Sequence, residues 1–363
     1  MSNENPWLAT RNLLAVRMDN AGDIVMLGPA LRAIKATTPD ARITLLASPA
    51  GAKAAVLLPW IDDVITWRAV WQDLGHLPFE PSRERELVDL LAERAFDAAL
   101  IFTSFSQSPH VPGYVCYLAG IPLRAGESHE FGGASLSHEF RSHADDRHQV
   151  DRNLDLVERL GFGPGDRALE VTIPAKTVAS IAQCLRRLGI GAADPVAVLH
   201  PGASAAARRY PAARYGQIAV MLRERGWHVL LTGTERESDQ LDAVCARAGE
   251  RLPRLTDLTI QEYAALITQG TVVVCGNTLP MHLADAARTP VVALYSGTDQ
   301  ISQWRPRRAP SCILQRPVSC SPCYLLECPI GTLCLDIDPA DVVRSVETLA
   351  PLAADRAARE VGV

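Results

Sequence analysis

The sequence predicts an α/β protein of two domains, each built around a parallel sheet. Short apolar or β-branched runs alternate with stretches of helical periodicity along the whole chain, as in strands covered on both faces by crossover helices. The length of 363 residues is typical of two domains of roughly 100 to 200 residues each. The segment GFGPGD, residues 161–166, predicts the linker between them. We therefore expect an N-terminal domain at residues 1–165 and a C-terminal domain at residues 166–340.

Composition and charge exclude several classes of protein. Hydrophobic residues make up 48% of the chain, and 36 basic against 41 acidic residues give a net charge of −5. This balance lacks the electrostatic footprint of a protein that binds nucleic acid. No apolar run reaches the ~20 residues that span a bilayer, and the N-terminus lacks the segments of a signal peptide. We expect a soluble, cytoplasmic protein with reduced thiols, and leave open a peripheral contact with a membrane.

The first domain begins with an apolar strand, Leu13 to Val16, followed by a helix that starts near Asp23. Apolar residues recur in that helix at helical spacing, so one of its faces is core. Asp23 therefore lies at a helix start, close to the end of a strand. There it is either an N-terminal cap, for which Asp is favoured, or a general base at the edge of a cleft.

The rest of the first domain continues the alternation of strands and helices. We predict strands at residues 43–47, 64–66 and 98–102, and helices at about 50–58, 84–95 and 109–119. The segment from Gly126 to Arg147 is rich in Gly, Ser, His and charge, a composition that predicts a mobile loop.

In the second domain, the predicted strand Val196 to Leu199 leads into the loop HPGASAAARRYP. Small residues such as Ser204 let a backbone approach a ligand closely, and Arg208 and Arg209 follow. Guanidinium groups bind phosphate oxygens bidentately. The loop is therefore either a diphosphate site or a solvated basic loop.

A further strand, His228 to Leu231, is followed by Glu235. An acidic residue at the end of a strand in a nucleotide-binding sheet can accept hydrogen bonds from ribose hydroxyls. It can equally complement the dipole of the helix that we predict at about 236–248.

The stretch from Val272 to Asp299 predicts a strand, a turn, a helix and another strand. Asn277 and Thr278 are good N-cap residues, and His282 falls on the first turn of the helix. A helix that starts at the carboxyl edge of a parallel sheet points free N–H groups at that edge, which suits a phosphate. The alternative is one more capped βα unit with a histidine on its helix face.

Four cysteines fall close together near the C-terminus, with the spacing C-x2-C-x4-C-x5-C. Four close thiols could hold zinc or an iron–sulfur cluster, although the spacing matches neither the ribbon nor the ferredoxin pattern. Disulfide or redox switching and reduced thiols that pack a compact loop are the alternatives. The residues are Cys320, Cys323, Cys328 and Cys334.

Seven segments in order resemble glycosyltransferase family 9, the ADP-heptose:lipopolysaccharide heptosyltransferases and their relatives. They are RMDNAGDIVMLGPALRAIK, SFSQSPHVPGYVCYLAGIPLRAG, HQVDRNLDLVERLG, HPGASAAARRYPAARYGQIA, LLTGTERE, GNTLPMHLADAARTPVVALYSGTD and CSPCYLLECPIGTLC. The resemblance implies a GT-B fold of two facing Rossmann-like domains, the N-terminal for the acceptor and the C-terminal for the sugar nucleotide. It also implies that a helix at residues 341–363 packs back on the N-terminal domain.

The resemblance also implies the chemistry: inverting, metal-independent transfer of a heptose or related sugar from a nucleotide diphosphate, ADP-linked in this family, without a cofactor. It assigns Asp23 as the catalytic base. It assigns to donor binding Ser204, Arg208, Arg209, Glu235, Asn277, Thr278, Leu279, Met281 and His282. On the acceptor side we place Asn20, Ser104 and His110. The acceptor is a glycan of the lipopolysaccharide core or a small glycoside.

The sequence departs from the family's pattern at several of these positions. Arg208 replaces the usual lysine, Asn277 replaces a common Asp, and Leu279 replaces a common Gly. A leucine side chain in place of glycine narrows the pocket that we expect for the donor. Asp19 and Asn20 stand where small hydroxyl residues are frequent, which points to a different acceptor.

Two other functions stay open at this point: a sugar-nucleotide epimerase or hydrolase on the same fold, and a non-catalytic protein that binds a nucleotide sugar or a metal.

Overall fold

The computed structural model describes residues 5–73, 76–141 and 146–351. The chain divides into two compact units, Met1–Thr172 and Ile173–Val363. Each unit contains one six-stranded sheet whose strand pairs are all parallel. The boundary predicted from the sequence, at residue 165, lies a few residues before the observed division.

The first unit alternates strands and helices. In chain order they are β1 (Asn12–Arg17), α1 (Ala21–Thr37), β2 (Arg42–Ala47), α2 (Pro49–Ala52), β3 (Asp63–Thr66), α3 (Pro81–Glu93), β4 (Ala98–Ile101), α4 (His110–Leu118), β5 (Leu123–Ser128), β6 (His138–Arg141) and α5 (Gln149–Arg159). The strand order in the sheet is β3-β2-β1-β4-β5-β6. The central strand β1 is buried from Leu13 to Arg17, as expected for a parallel sheet with helices on its faces.

The second unit repeats this architecture. Its elements are α6 (Ala175–Arg187), β7 (Val196–His200), α7 (Ala212–Glu224), β8 (His228–Thr232), α8 (Ser238–Ala248), β9 (Arg254–Leu255), α9 (Ile260–Gln269), β10 (Val272–Gly276), α10 (Leu279–Ala287), β11 (Val291–Leu294), α11 (Ile301–Trp304), β12 (Ser311–Leu314) and α12 (Pro339–Leu349). The strand order is β12-β11-β10-β7-β8-β9. The predicted α/β class with two Rossmann-like parallel sheets is confirmed.

Parallel pairing brings the carboxyl ends of all strands in a sheet to one edge. The order of the strands reverses between β1 and β4 in the first sheet and between β7 and β10 in the second. At such a reversal the loops that follow the two strands diverge, and open α/β sheets bind ligands in the crevice between them. Most of the candidate site residues lie in loops at these two places.

The segment from Gly126 to Arg147 contains parts of two strands that its composition does not predict. Strand β5 continues through Ser128, and β6 pairs with it in parallel, with Ala125 opposite His138. Residues 129–137 between them contain neither helix nor strand, and residues 142–145 lie outside the described part of the chain. The loop prediction is therefore wrong at residues 126–128 and 138–141, where pairing with a neighbouring strand orders the backbone.

The C-terminal helix α12 packs on α7, β11 and β12 of its own unit. Val342, Val343 and Val346 are buried in the core of the second unit. The expectation for residues 341–363 is corrected to this extent: the apolar face of α12 belongs to the second unit. Residues 352–363 lie outside the described range.

Among the described residues, none of the helices has the length and hydropathy needed to cross a bilayer.

Candidate functional site

Asp23 lies in the first turn of α1, just after the loop that follows β1. Its Oδ1 accepts a hydrogen bond from Nη2 of Arg17 at 2.9 Å, and its Oδ2 accepts one from the backbone N–H of Asn20 at 3.2 Å. The side chain remains 16% exposed. The N-cap residue is Asn20, so the interpretation of Asp23 as the N-cap is wrong: Asp23 is the third helical residue, and its carboxylate accepts from the N–H of the cap while staying partly accessible.

Arg17 organises this edge of the first sheet. It is the last residue of β1, and its side chain is fully buried. Nε lies 2.8 Å from Oδ2 of Asp19, and Nη2 lies 2.9 Å from Oδ1 of Asp23. A buried guanidinium needs anionic partners to offset the loss of its hydration, and Arg17 has two. Sequence analysis missed this residue, although a charge at the end of an apolar strand is the signal that could have revealed it.

Asp19 is the less accessible of the two carboxylates, with its side chain 10% exposed. Its Oδ1 accepts hydrogen bonds from the side-chain amides of Gln72, at 3.0 Å, and Gln107. Burial raises the pKa of Asp19, the charge of Arg17 lowers it, and the charge of Asp23 raises it. The net direction is upward, so Asp19 holds a proton more readily than an ordinary aspartate.

Two of the three acceptor-side predictions fall at this edge. Asn20 is the exposed N-cap residue of α1. Ser104, in the loop after β4, accepts a hydrogen bond from Nη2 of Arg17 at 2.9 Å, and its backbone N–H donates to the side chain of Gln107. The loops after β1 and β4 are thus joined through Arg17, as the strand order requires.

His110, the third residue predicted on the acceptor side, contacts two serine side chains through its ring nitrogens. Its Nδ1 lies 3.0 Å from Oγ of Ser135, and its Nε2 lies 2.9 Å from Oγ of Ser128. A Cβ at Gly132 would lie 1.8 Å from the ring, so only glycine fits there. His110 therefore fastens the β5–β6 connection to α4, and both ring nitrogens are occupied.

Arg208 is fixed across the carboxyl ends of the second sheet. Its Nε donates to Oγ1 of Thr298 at 3.1 Å, and its Nη2 lies 2.8 Å from Oδ2 of Asp299. Both partners belong to the loop after β11, while Arg208 follows β7. The side chain is 27% exposed, so part of it remains open to a ligand. Asp299 and Thr298 are positioning residues that sequence analysis did not identify.

The neighbouring predicted residues lie in the same loop. Arg209 is exposed and donates from Nε to the carbonyl of Ala203 at 2.9 Å. Ser204 is also exposed. The two arginines therefore differ: Arg208 is held by side chains at the strand ends, whereas Arg209 bonds only its own loop.

The sequence predicts free backbone N–H groups at the start of α10, but Pro280 has no N–H and that of Met281 donates to the carbonyl of Thr278 at 3.0 Å. Thr278 is the N-cap residue in an extended conformation, and the helix begins at Leu279, which is half-buried. Asn277 is buried, and its Nδ2 donates to the hydroxyl of Tyr295 at 3.1 Å. That hydroxyl donates in turn to the carbonyl of Gln300 at 3.2 Å. Asn277 thus connects the loops after β10 and β11.

Two residues of α10 that are predicted to contact the donor are buried. Met281 is completely buried, so its side chain packs in the core, and its contact with a donor stays a prediction. His282 is 6% exposed, and burial lowers its pKa to about 4, with Asp285 opposing that shift. Its imidazole is therefore neutral near pH 7 and can donate a hydrogen bond but carries no positive charge.

Two glutamates follow β8, and they have different environments. Glu235 is exposed in the turn after the strand. Glu237 accepts hydrogen bonds through Oε2 from the backbone N–H and hydroxyl of Thr234, at 2.7 and 3.0 Å. A Cβ at Gly202 would lie 2.0 Å from Oε1 of Glu237. The close approach that Gly202 allows is therefore used by a carboxylate of the protein, and Glu235 is the glutamate left open to a ligand.

The four clustered cysteines are free thiols. Cys320 is exposed, Cys323 and Cys328 are half-buried, and Cys334 is buried. Backbone N–H groups, first that of Ile330, lower the pKa of Cys328. Their loop is tied to the loop after β11, because the N–H of Cys323 donates to the carbonyl of Gly297 at 2.9 Å. Within residues 5–73, 76–141 and 146–351, no three Cys, His, Asp or Glu side chains are arranged to hold a metal ion.

Comparison with known proteins identifies the family. The model of glycosyltransferase family 9 (heptosyltransferase) matches residues 85–333. Lipooligosaccharide heptosyltransferase 2 of Haemophilus influenzae is 26% identical over 299 residues, which cover 79% of this chain and 84% of that protein. Lipopolysaccharide heptosyltransferase 2 of Escherichia coli is 24% identical over 303 residues, covering 78% of this chain and 82% of that protein.

Solved structures share the fold. A family 9 glycosyltransferase of Veillonella parvula superposes with a TM-score of 0.75 at 17% identity, over 94% of this chain and 97% of that one. Escherichia coli ADP-heptose lps heptosyltransferase II superposes with a TM-score of 0.73 at 19% identity, over 95% of this chain and 99% of that one. The chain belongs to glycosyltransferase family 9 and is a heptosyltransferase-like glycosyltransferase.

Proposed function

We propose that this enzyme transfers a heptose or a closely related sugar from an ADP-linked donor to a glycan hydroxyl, with inversion at the anomeric carbon. The observation that carries the proposal is Asp23, a partly exposed carboxylate whose two oxygens are fixed by Arg17 and by the N–H of Asn20. A general base has to be held in place and remain accessible. ADP-heptose is the donor class named for a related enzyme of this family.

The donor side is supported by Arg208. Its guanidinium is oriented by Thr298 and Asp299 but not fully enclosed, so a diphosphate oxygen can share it. The backbone N–H of Leu279, the first residue of α10, is our second candidate donor at the same edge, next to the positive end of the helix dipole. Exposed Glu235 is our candidate for the ribose hydroxyls.

The proposed transfer is a single displacement. Asp23 takes the proton of the acceptor hydroxyl, and the oxygen forms a bond to the anomeric carbon. The bond from that carbon to the diphosphate oxygen breaks, and its electron pair leaves with the nucleotide. Because one displacement occurs without a covalent intermediate, the anomeric configuration inverts. Negative charge accumulates on the leaving diphosphate, where Arg208 and the backbone N–H of Leu279 stabilise it.

Neutral His282 has a limited role in this scheme. Its low pKa means that it contributes a hydrogen bond at most, so the electrostatic stabilisation is assigned to Arg208 and the backbone. We propose that these groups replace the divalent ion that many sugar transferases use, and that transfer continues in the presence of EDTA.

The acceptor is proposed to be a hydroxyl of a lipopolysaccharide-core glycan or of a small glycoside. Asp19 and Asn20, beside Asp23, stand where the family often has small hydroxyl residues. Their size and charge favour an acceptor that differs from the family's usual one in the part next to the reacting hydroxyl.

The test measures release of ADP from ADP-heptose with a panel of core-type and small glycoside acceptors, with and without EDTA. We expect release that depends on the acceptor, persists in EDTA, and gives a product whose anomeric configuration, read by NMR, is opposite to that of the donor. A retained configuration, or turnover only with added metal, would contradict the proposal. Rapid conversion of the donor without an acceptor would instead indicate an epimerase or hydrolase.

A further inference from the structure

The end of β1 carries one cation and two carboxylates. Arg17, fully buried, lies 2.8 Å from an oxygen of Asp19 and 2.9 Å from an oxygen of Asp23. The two carboxylates differ in accessibility, with Asp19 the more buried. If both are ionised, the cluster has an excess negative charge in a poorly solvated place. Two neighbouring carboxylates repel each other when both are ionised, so the pair binds its first proton more readily than an isolated carboxylate would.

The surroundings of Asp19 restrict how this charge can be neutralised. Its Oδ1 accepts from the amides of Gln72 and Gln107, and Oγ of Ser104 lies 3.5 Å from its Oδ2. Its backbone carbonyl accepts from the hydroxyl of Ser48, at the start of α2. These partners of Asp19 are all uncharged. The charged groups that act on Asp19 in the described structure are Arg17 and Asp23.

Other charges on the adjacent turn are directed elsewhere. Asp73, next to Gln72, binds Arg68 and the backbone N–H groups of His76 and Leu77. The protonation of Asp19 is therefore coupled mainly to Arg17 and Asp23.

We propose that Asp19 is a positioning residue that keeps Asp23 basic by sharing the guanidinium of Arg17. With Asp19 ionised, the positive charge is divided between two carboxylates, so Asp23 is held in place without being strongly stabilised in its charged form. With Asp19 neutral, the whole charge of Arg17 acts on Asp23, and Asp23 becomes a weaker base. This inference rests on the proposed role of Asp23 as the general base.

A dependence on pH follows. As the pH falls, the pair binds its first proton at a higher pH than an isolated aspartate would, because each carboxylate opposes the ionisation of the other. Activity is lost with that proton. The acid limb of kcat/KM then reports the pair, and its apparent pKa belongs to the pair and not to Asp23 alone.

The test compares Asp19→Asn with the wild type across pH. Removing the charge leaves Arg17 to Asp23 alone, so we expect kcat to fall about tenfold and the acid limb to move to lower pH by about one unit. KM for the donor should change little. Asp19→Glu, which keeps the charge, should restore part of kcat and of the limb. Asp73→Asn removes a nearby carboxylate that binds Arg68 and the backbone N–H groups of His76 and Leu77, and should leave the limb unchanged.

A direct titration gives a readout that needs no activity. Infrared difference spectra detect the C=O stretch of a protonated carboxyl. The wild type should show one that persists to a higher pH than in Asp19→Asn or Asp23→Asn, each checked for folding by circular dichroism. Identical titrations in the wild type and Asp19→Asn, or an unmoved acid limb in Asp19→Asn, would overturn the inference.

Failure of the proposed function is distinguishable. Near-normal turnover in Asp23→Ala removes Asp23 as the base whatever Asp19→Asn shows. An inactive Asp23→Ala together with an unmoved acid limb in Asp19→Asn overturns only the sharing of Arg17.

Discussion

The carboxyl edges of the two sheets have the same topology but opposite electrostatics. At the first, a buried guanidinium is surrounded by two carboxylates, so negative charge is in excess. At the second, partly exposed Arg208 has one carboxylate partner, Asp299, and the positive end of α10 lies at the same edge. A strand-order reversal thus fixes where a ligand can bind, and the residues in the loops decide whether the place accepts a proton or an anion.

The difference also indicates which groups supply positive charge at the edge that we propose for the donor. His282 carries none near neutral pH, because burial lowers its pKa to about 4. Arg208 and the positive end of α10 supply it instead. At the first edge fully buried Arg17 holds two carboxylates, whereas at the second edge Arg208 remains 27% exposed.

The largest expected effect tests the first edge. Asp23→Ala removes the proposed base, and we expect kcat to fall about 10²-fold or more, the usual scale for such a loss. KM for the donor should change little, because Asp23 lies in the first unit. Steady-state kinetics measure both. Turnover close to that of the wild type would remove the functional distinction between the two edges.

The second prediction concerns the anion site. Arg208→Ala removes a charge-assisted contact of about 1.5–3 kcal/mol, so the donor should bind roughly 10- to 100-fold more weakly. Calorimetry with ADP measures this without an acceptor. Arg209→Ala is the matched control, because Arg209 is exposed and bonds only the carbonyl of Ala203. Equal losses in the two variants would contradict the assignment of Arg208.

The third prediction concerns neutral His282. A buried histidine whose pKa is lowered from 6.5 to about 4 contributes stability above pH 6.5 that is lost as the pH falls towards 4. Between pH 7 and pH 5 the loss is about 2 kcal/mol. Urea unfolding of the wild type and His282→Gln at both pH values measures it, and the variant should lose less stability on acidification. An equal loss in both proteins would mean that His282 is not the group responsible.

The smallest expected effects come from substitutions of the two glutamates after β8, one on binding of ADP and the other on stability. Glu235→Gln should weaken binding of ADP by about tenfold or less, the scale of one hydrogen bond, and leave stability unchanged. Glu237→Gln should lower stability by about 1 kcal/mol, because Glu237 accepts from the N–H and hydroxyl of Thr234. Calorimetry and urea unfolding of both variants test this pair. The reverse pattern would place the ribose contact on Glu237.

Prediction from the sequence succeeded where local pattern decides the structure. The apolar runs of β1, β7 and β10 and most of the predicted helices appear within a few residues of their predicted bounds. The helix predicted at about 50–58 is wrong, because α2 ends at Ala52 and a separate 3-10 turn follows at Ala55–Leu57. Prediction also failed for β5 and for β6, β9 and β12, of which the last three are short edge strands. Their ordering comes from pairing with a neighbour that is distant in sequence, and no periodicity in a segment of two to four residues records that partner.

The sequence alone determined the two parallel sheets, the starts of α1 and α10 to within a few residues, and the family, because caps, apolar periodicity and ordered motifs are local. Only the tertiary structure decided that Arg17 joins Asp19 to Asp23, that Asp299 orients Arg208, and that His282 is neutral. These properties depend on burial and on contacts between loops separated along the chain. The charge of a side chain can be read from its residue type, whereas its partner and its solvation exist only once the sheet has brought the loops together.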